Sequence, residues 1–112
     1  MPRPAPPLPP HSPASFRTTV HGTVFCDRSK CLDKLNPGDE VVLIPGPPLD
    51  DEPGVWVHVP GGDLVGHLPP EIERWMAPWM LRGGSAVAHV DKIEDVTQPS
   101  WRRLVIAVEC VV

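Results

Sequence analysis

Apolar and polar residues alternate along several short stretches of the chain, a pattern that is typical of half-buried β-strands. The strictest alternation covers residues 55–59, Val-Trp-Val-His-Val. Because successive side chains of a strand point to opposite faces, the valines predict an inward face and Trp56 an outward one. A Pro-Gly-Gly-Asp turn at 60–63 leads into the apolar stretch 64–68, so the two stretches predict a β-hairpin.

Further stretches rich in β-branched and apolar residues predict four more strands. They cover residues 17–26, 40–44, 85–94 and 101–111. An Asn-Pro-Gly-Asp turn at 36–39 precedes one of them, since proline fixes the second position of such a turn and glycine tolerates the third. The chain is therefore predicted to contain six strands.

One helix interrupts the strands after residue 68. Pro69-Pro70 can open a helix and Gly83-Gly84 can end it. Within it, Pro78 removes one backbone hydrogen bond, so we expect a kink or two consecutive short helices. The apolar positions follow a spacing of three and four residues, which predicts one buried stripe: Ile72, Trp75, Met76, Trp79 and Met80.

Four strands, a helix and two strands predict a mainly β fold. The expected architecture is a small six-stranded OB- or SH3-like barrel with the helix between strands 4 and 5. The length of 112 residues allows one such domain. Seven of the 17 prolines fall in the first 13 residues, which predicts a disordered Pro-rich arm over 1–15 and a barrel domain over 16–112.

Charge and cysteine content narrow the classes of function. The formal net charge of −4 argues against a protein that binds duplex DNA through many phosphates, so any nucleic-acid site must use a few aimed groups or a local basic patch. No apolar run is long enough to span a membrane, and the N-terminus does not resemble a signal peptide. Three cysteines, an odd and low number, favour a reduced, cytoplasmic protein.

The sequence carries no recognisable catalytic motif. It lacks a phosphate-binding loop, a Ser/His/Asp signature and a cofactor fingerprint, so we expect neither an enzyme nor a cofactor. A zinc site would have to use Cys26 and Cys31 with His21 or His58. No second Cys or His pair completes the four ligands that structural zinc requires, so we expect no metal.

A series of landmarks runs through most of the predicted barrel. In chain order they are Gly22, Leu35-x-Pro37-Gly38-Asp39-x-Val41-x-Leu43, Asp51 before Val55-x-Val57, Gly62-x-x-Val65-Gly66-His67-Leu68-Pro69, and a helix that contains Ala77-Pro78. In this order, over about 18–111, they resemble a HIRAN domain of the stand-alone bacterial type. The phrase around Gly66-His67 is the most specific of them.

The resemblance implies a function in DNA processing. HIRAN domains occur on fork-remodelling DNA translocases and as stand-alone proteins, and the family's DNA-binding members hold the 3′-hydroxyl end of single-stranded DNA. The acidic group of that site falls on Asp51 and its histidine on His67. An Arg-Tyr-Tyr segment of the family falls on residues 24–26, Val-Phe-Cys, and a further Tyr falls on Asp50. The chain thus keeps only Phe25 of these three rings and lacks the arginine.

Each candidate residue has a structural alternative. Asp51 can cap its loop, His67 can simply end a strand, and Phe25 can belong to the core. Trp101 beside two arginines suits a contact with base and phosphate, or an exposed start of a strand. The candidate nucleic-acid-binding residues are Phe25, Asp51, His67, Trp101, Arg102 and Arg103.

Two functions follow from these observations. The first is a module that binds single-stranded DNA or DNA 3′ ends in repair or fork processing. The alternative is a protein–protein interaction module that recruits a DNA-processing partner through the Pro-rich arm or an acidic barrel face.

Overall fold

We describe the fold from a computed structural model. It describes residues 7–10, 12–21, 35–46, 54–62, 64–94 and 97–111. Among the sequence-based candidates, Phe25, Asp51, Cys26 and Cys31 lie outside these residues. So does the second half of the predicted first strand.

The described residues form six strands and two helices, in the order β1 (Ser15–Thr19), β2 (Glu40–Pro45), β3 (Val55–His58), β4 (Leu64–His67), α1 (Pro70–Leu81), β5 (Ser85–Ile93), α2 (Ser100–Arg103) and β6 (Leu104–Val111). The strands pair antiparallel in the order β1-β6-β5-β2-β3-β4 and curl into a half-barrel. The predicted fold class, mainly β with a helix between strands 4 and 5, is confirmed.

The two outer strands of this sheet meet at one point. His21, which follows β1, pairs with His67 of β4 through two backbone hydrogen bonds. The His21 amide donates to the His67 carbonyl oxygen over 2.8 Å, and the His67 amide donates to the His21 carbonyl oxygen over 2.9 Å. This bridge brings β1 and β4 together, although they are first and last in the sheet.

The core lies inside the curl and beneath α1. Val55 and Val57 of β3 are fully buried, so their side of the strand faces the core, as the alternation predicts. From α1, Met76 and Trp79 are fully buried as well. Trp75 packs edge-on against Phe16 of β1, with ring centroids 5.9 Å apart, so α1 packs against the first strand as well.

Helix α1 is continuous through Pro78, so the expectation of two consecutive short helices is wrong. Only the last turn follows the proline, and the chain forms that turn despite one missing backbone hydrogen bond. The predicted end at the glycine pair is confirmed. Gly83 has φ of 110°, and the Gly84 amide donates to the Trp79 carbonyl oxygen over 3.1 Å, a Schellman motif.

The predicted last strand begins later than expected. Residues Ser100–Arg103 form one helical turn, and β6 starts at Leu104. Pro99 leads into the turn, and its carbonyl oxygen accepts a hydrogen bond from the Arg102 amide over 2.8 Å. At the other end of the chain, β1 begins at Ser15, one residue before the boundary that composition suggests. In the described part of the chain, no helix is long and apolar enough to cross a membrane.

Candidate functional site

Three rings lie side by side on the outer face where β1 meets β4. Trp56 and His67 are cross-strand partners of β3 and β4, with ring centroids 6.1 Å apart and planes 79° apart. His21 continues the series, its ring centroid 5.9 Å from that of His67. We call Trp56, His67 and His21 the ring row. Trp56 lies outside the core, which confirms the prediction from its position between buried valines.

Glycine at position 66 allows the ring row to form. A Cβ atom at this position would lie 2.7 Å from the Cγ1 atom of Val20 and closer still to the His21 carbonyl oxygen. Any other residue would therefore push the segment around His21 away from β4. The sequence marks Gly66 as a landmark, and its structural reason is this close approach of two backbones.

The hydrogen bonds of His67 define its tautomer. Its Nδ1 atom lies 2.9 Å from the Leu68 carbonyl oxygen and 3.3 Å from Oε1 of Glu73. Both neighbours are acceptors, so Nδ1 carries the hydrogen and donates it to the nearer one, the Leu68 carbonyl oxygen. In the neutral ring with hydrogen on Nδ1, Nε2 is an acceptor. The side chain is 23% exposed, so His67 belongs partly to the core and partly to the surface.

Glu73 connects His67 to the strand that carries Trp56. Its side chain is only 12% exposed, and its Oε2 atom accepts a hydrogen bond from the Gly54 amide over 3.0 Å. Its buried Oε1 atom has no hydrogen-bond partner among the described residues and lies 3.3 Å from Nδ1 of His67. The sequence alone gives Glu73 no functional role. The available signal was its place beside Ile72, at the border of the apolar stripe.

Arg102 and Arg103 lie near the segment Val20–His21, on the side opposite His67. The Val20 amide donates to the Leu104 carbonyl oxygen over 3.0 Å, and Leu104 directly follows Arg102 and Arg103 of α2. His67 bonds the next residue, His21. Strands are about 4.8 Å apart, so the fold brings His67 and the arginine pair to opposite flanks of one short segment. Trp101 lies in α2 as well.

Apolar side chains border the ring row. Ile44, the cross-strand partner of Trp56, is 44% exposed, and Val42 on the same strand is 38% exposed. His58 pairs with Val42, so the outer face of β2 and β3 combines apolar side chains with rings. In the described part of the chain, no group of three or more His, Cys, Asp or Glu residues could hold a metal ion.

Comparison with models of known protein families finds no match, and no curated protein matches the chain. Among solved structures, the chain is similar to a crystal structure of a protein from Lactobacillus plantarum that was determined by a structural genomics consortium. The TM-score is 0.63 and the sequence identity 21%, with 83% of this chain and 91% of that chain covered. At this identity the likeness shows a shared fold and nothing about function.

Proposed function

We propose that the chain is a non-catalytic module of the HIRAN type that binds single-stranded DNA or DNA 3′ ends in repair or fork processing. The observation that carries the proposal is the ring row. Tryptophan and histidine rings on an outer barrel face suit nucleobases, since each stacked base contributes about 1–3 kcal/mol. Small β-barrels bind oligonucleotides on such faces.

The angles between the rings favour a single strand over a duplex. Trp56 and His67 are 79° apart, and His67 and His21 are 60° apart, so the rings do not form one flat surface. A ligand would have to turn each base separately, which an unpaired strand can do and a duplex cannot. The net charge of −4 also argues against duplex binding.

Several landmarks of the HIRAN resemblance lie at structurally demanding positions. Gly38 has φ of 93° in a turn where Oδ2 of Asp39 accepts from the Asn36 amide over 2.9 Å. Gly66 permits the bridge to His21, and His67 belongs to the ring row. These positions support the resemblance because each residue type answers a local requirement.

The remaining candidates of the resemblance enter the proposal by their place in the chain. Phe25 belongs to residues 22–34, which directly follow His21 in the chain. Asp51 belongs to residues 47–53, which directly precede Gly54. His21 belongs to the ring row, and the Gly54 amide donates a hydrogen bond to Glu73. We propose that Phe25 adds a stacking ring, that Asp51 accepts the one hydrogen bond a terminal hydroxyl can donate, and that the His67 ring lines the same site.

The test is a titration of the protein with short single strands that carry a 3′-hydroxyl or a 3′-phosphate, at two salt concentrations. Fluorescence anisotropy reports the Kd. We expect binding at low salt and tighter binding of the 3′-hydroxyl strand, with Asp51→Ala removing that preference. Equal binding of both strands would leave a general single-strand binder. The absence of binding at low salt would overturn the proposal.

A second function is favoured by the exposed Val42 and Ile44 beside Trp56. Apolar side chains on an acidic protein suit a protein–protein interaction module that recruits a DNA-processing partner, through this face or the Pro-rich arm. The same titration separates the two functions, because such a module does not need to bind DNA.

A further inference from the structure

A polar hollow begins at Thr19, two residues before His21 of the ring row. It has a volume of about 330 Å³ and lies between β1, β5, β6 and α2. Thr19, Val105 and Lys92 form its floor as cross-strand neighbours on three adjacent strands. Its lining residues are Thr19, Lys92, Glu94, Gln98, Arg102 and Val105.

The lining of this hollow has the chemistry that binds phosphate. Lys92 and Arg102 supply two cations from different elements, and Thr19 and Gln98 supply neutral hydrogen-bond donors. Among the described lining residues, a carboxylate lies against Lys92, since Nζ of Lys92 lies 3.0 Å from Oε1 of Glu94. Both side chains of that pair are solvent-exposed, and an exposed pair of this kind is weak. A phosphate can therefore replace Glu94 at Lys92.

The position of the hollow relates it to the ring row. Thr19 and His21 lie on the same side of the chain, on either side of the buried Val20. Two residues of extended chain span roughly 7 Å, about the length of one nucleotide. A strand whose base stacks on His21 can therefore carry a backbone phosphate into the hollow.

We infer that the hollow between Lys92 and Arg102 is a phosphate subsite for the backbone of a single-stranded nucleic acid whose bases stack on the ring row. The inference rests on the proposed function and deepens it. It also answers the difficulty of the negative net charge, because a local pair of cations replaces an overall basic surface.

The experiment measures how binding of an oligothymidylate depends on salt. Each phosphate that a cation neutralises contributes about 0.7 to the slope of log K against log salt for single strands. We therefore expect the double variant Lys92→Gln/Arg102→Gln to lower that slope by about 0.7, and Lys92→Gln and Arg102→Gln alone each to lower it by part of that amount. Glu94→Gln, which removes the competing carboxylate, should tighten binding several-fold at low salt. Arg82→Gln, an exposed arginine at the end of α1, is the matched control and should leave the slope unchanged.

A second ligand separates this inference from the proposed function. A peptide nucleic acid of the same bases has no phosphates, so we expect wild type and Lys92→Gln to bind it equally, while Trp56→Ala weakens it. Unchanged salt slopes for both hollow variants, with Trp56→Ala still weakening binding, would overturn the phosphate subsite and leave the proposed function standing. If wild type binds neither ligand at low salt, both fail.

Discussion

The close approach at Gly66 gives the sharpest stability prediction. In Gly66→Ala, the new methyl group would lie 2.7 Å from the Cγ1 atom of Val20 and closer still to the His21 carbonyl oxygen. The two backbones must then separate by roughly 1 Å to restore van der Waals contact. That movement breaks the two hydrogen bonds between His21 and His67, of 2.8 and 2.9 Å.

The cost can be worked from these losses. Each backbone hydrogen bond contributes about 1 kcal/mol net, and a buried group left unpaired costs a further 1–3 kcal/mol or so. We therefore expect Gly66→Ala to lower the free energy of unfolding by about 3–5 kcal/mol, or the Tm by roughly 12–20 °C for a domain of this size. Urea and thermal unfolding followed by circular dichroism measure both.

Hydrogen exchange identifies the cause of that loss. The amides of His21 and His67 should lose protection in Gly66→Ala before the rest of the sheet does. Gly61→Ala is the control. Its φ is 110° but nothing lies within 4 Å of the new methyl group, so it should lose only about 1–2 kcal/mol to backbone strain and keep the bridge. A Gly66→Ala protein within about 0.5 kcal/mol of wild type, with its His21 amide still protected, would refute the reasoning.

Two further predictions concern Glu73 and Cys110. Glu73→Ala removes the acceptor of the Gly54 amide and the partner of the His67 ring. It should therefore lower the free energy of unfolding, measured in urea, by about 1.5–3 kcal/mol. The control is Glu71→Ala, which removes an exposed acid in the same helical turn and should lower it by well under half as much. Burial raises the pKa of the Cys110 thiol, so with the other two cysteines replaced by serine, Cys110 should react with a disulfide reagent at pH 8 only after unfolding. The raised pKa favours the protonated thiol in the folded chain. The free energy of unfolding should therefore fall as the pH rises above the ordinary thiol pKa of about 8.5. Rapid labelling of the folded chain, or a free energy of unfolding that rises over this pH range, would contradict the burial of Cys110.

Local sequence patterns predict much of the fold. The alternation around Trp56 predicted both the strand and the side on which the tryptophan lies. The apolar stripe and the glycine pair at 83–84 predicted the helix and its end. These features depend on neighbours within one turn or one strand, which is why the sequence alone reveals them.

The features that were missed depend on contacts between distant segments. Glu73 joins Gly54 to His67, and the ring row needs His21 to meet His67, a partner 46 positions away in the chain (67 − 21). Helix α2 was missed for a different reason, because four residues are too short to show a helical period. The residues that line the hollow beside Lys92 come from three strands and a helix, so no local sequence motif predicts it.

Chemical-shift mapping tests the central claim most directly. Isotope-labelled protein is titrated with an unlabelled single strand that carries a 3′-hydroxyl, at low salt, and backbone and ring signals are followed. We predict the largest shifts at Trp56, His67 and His21, with the signals of Leu81 and Gly83 at the end of α1 unchanged. Shifts that avoid the ring row, or no shifts at all, would contradict the account.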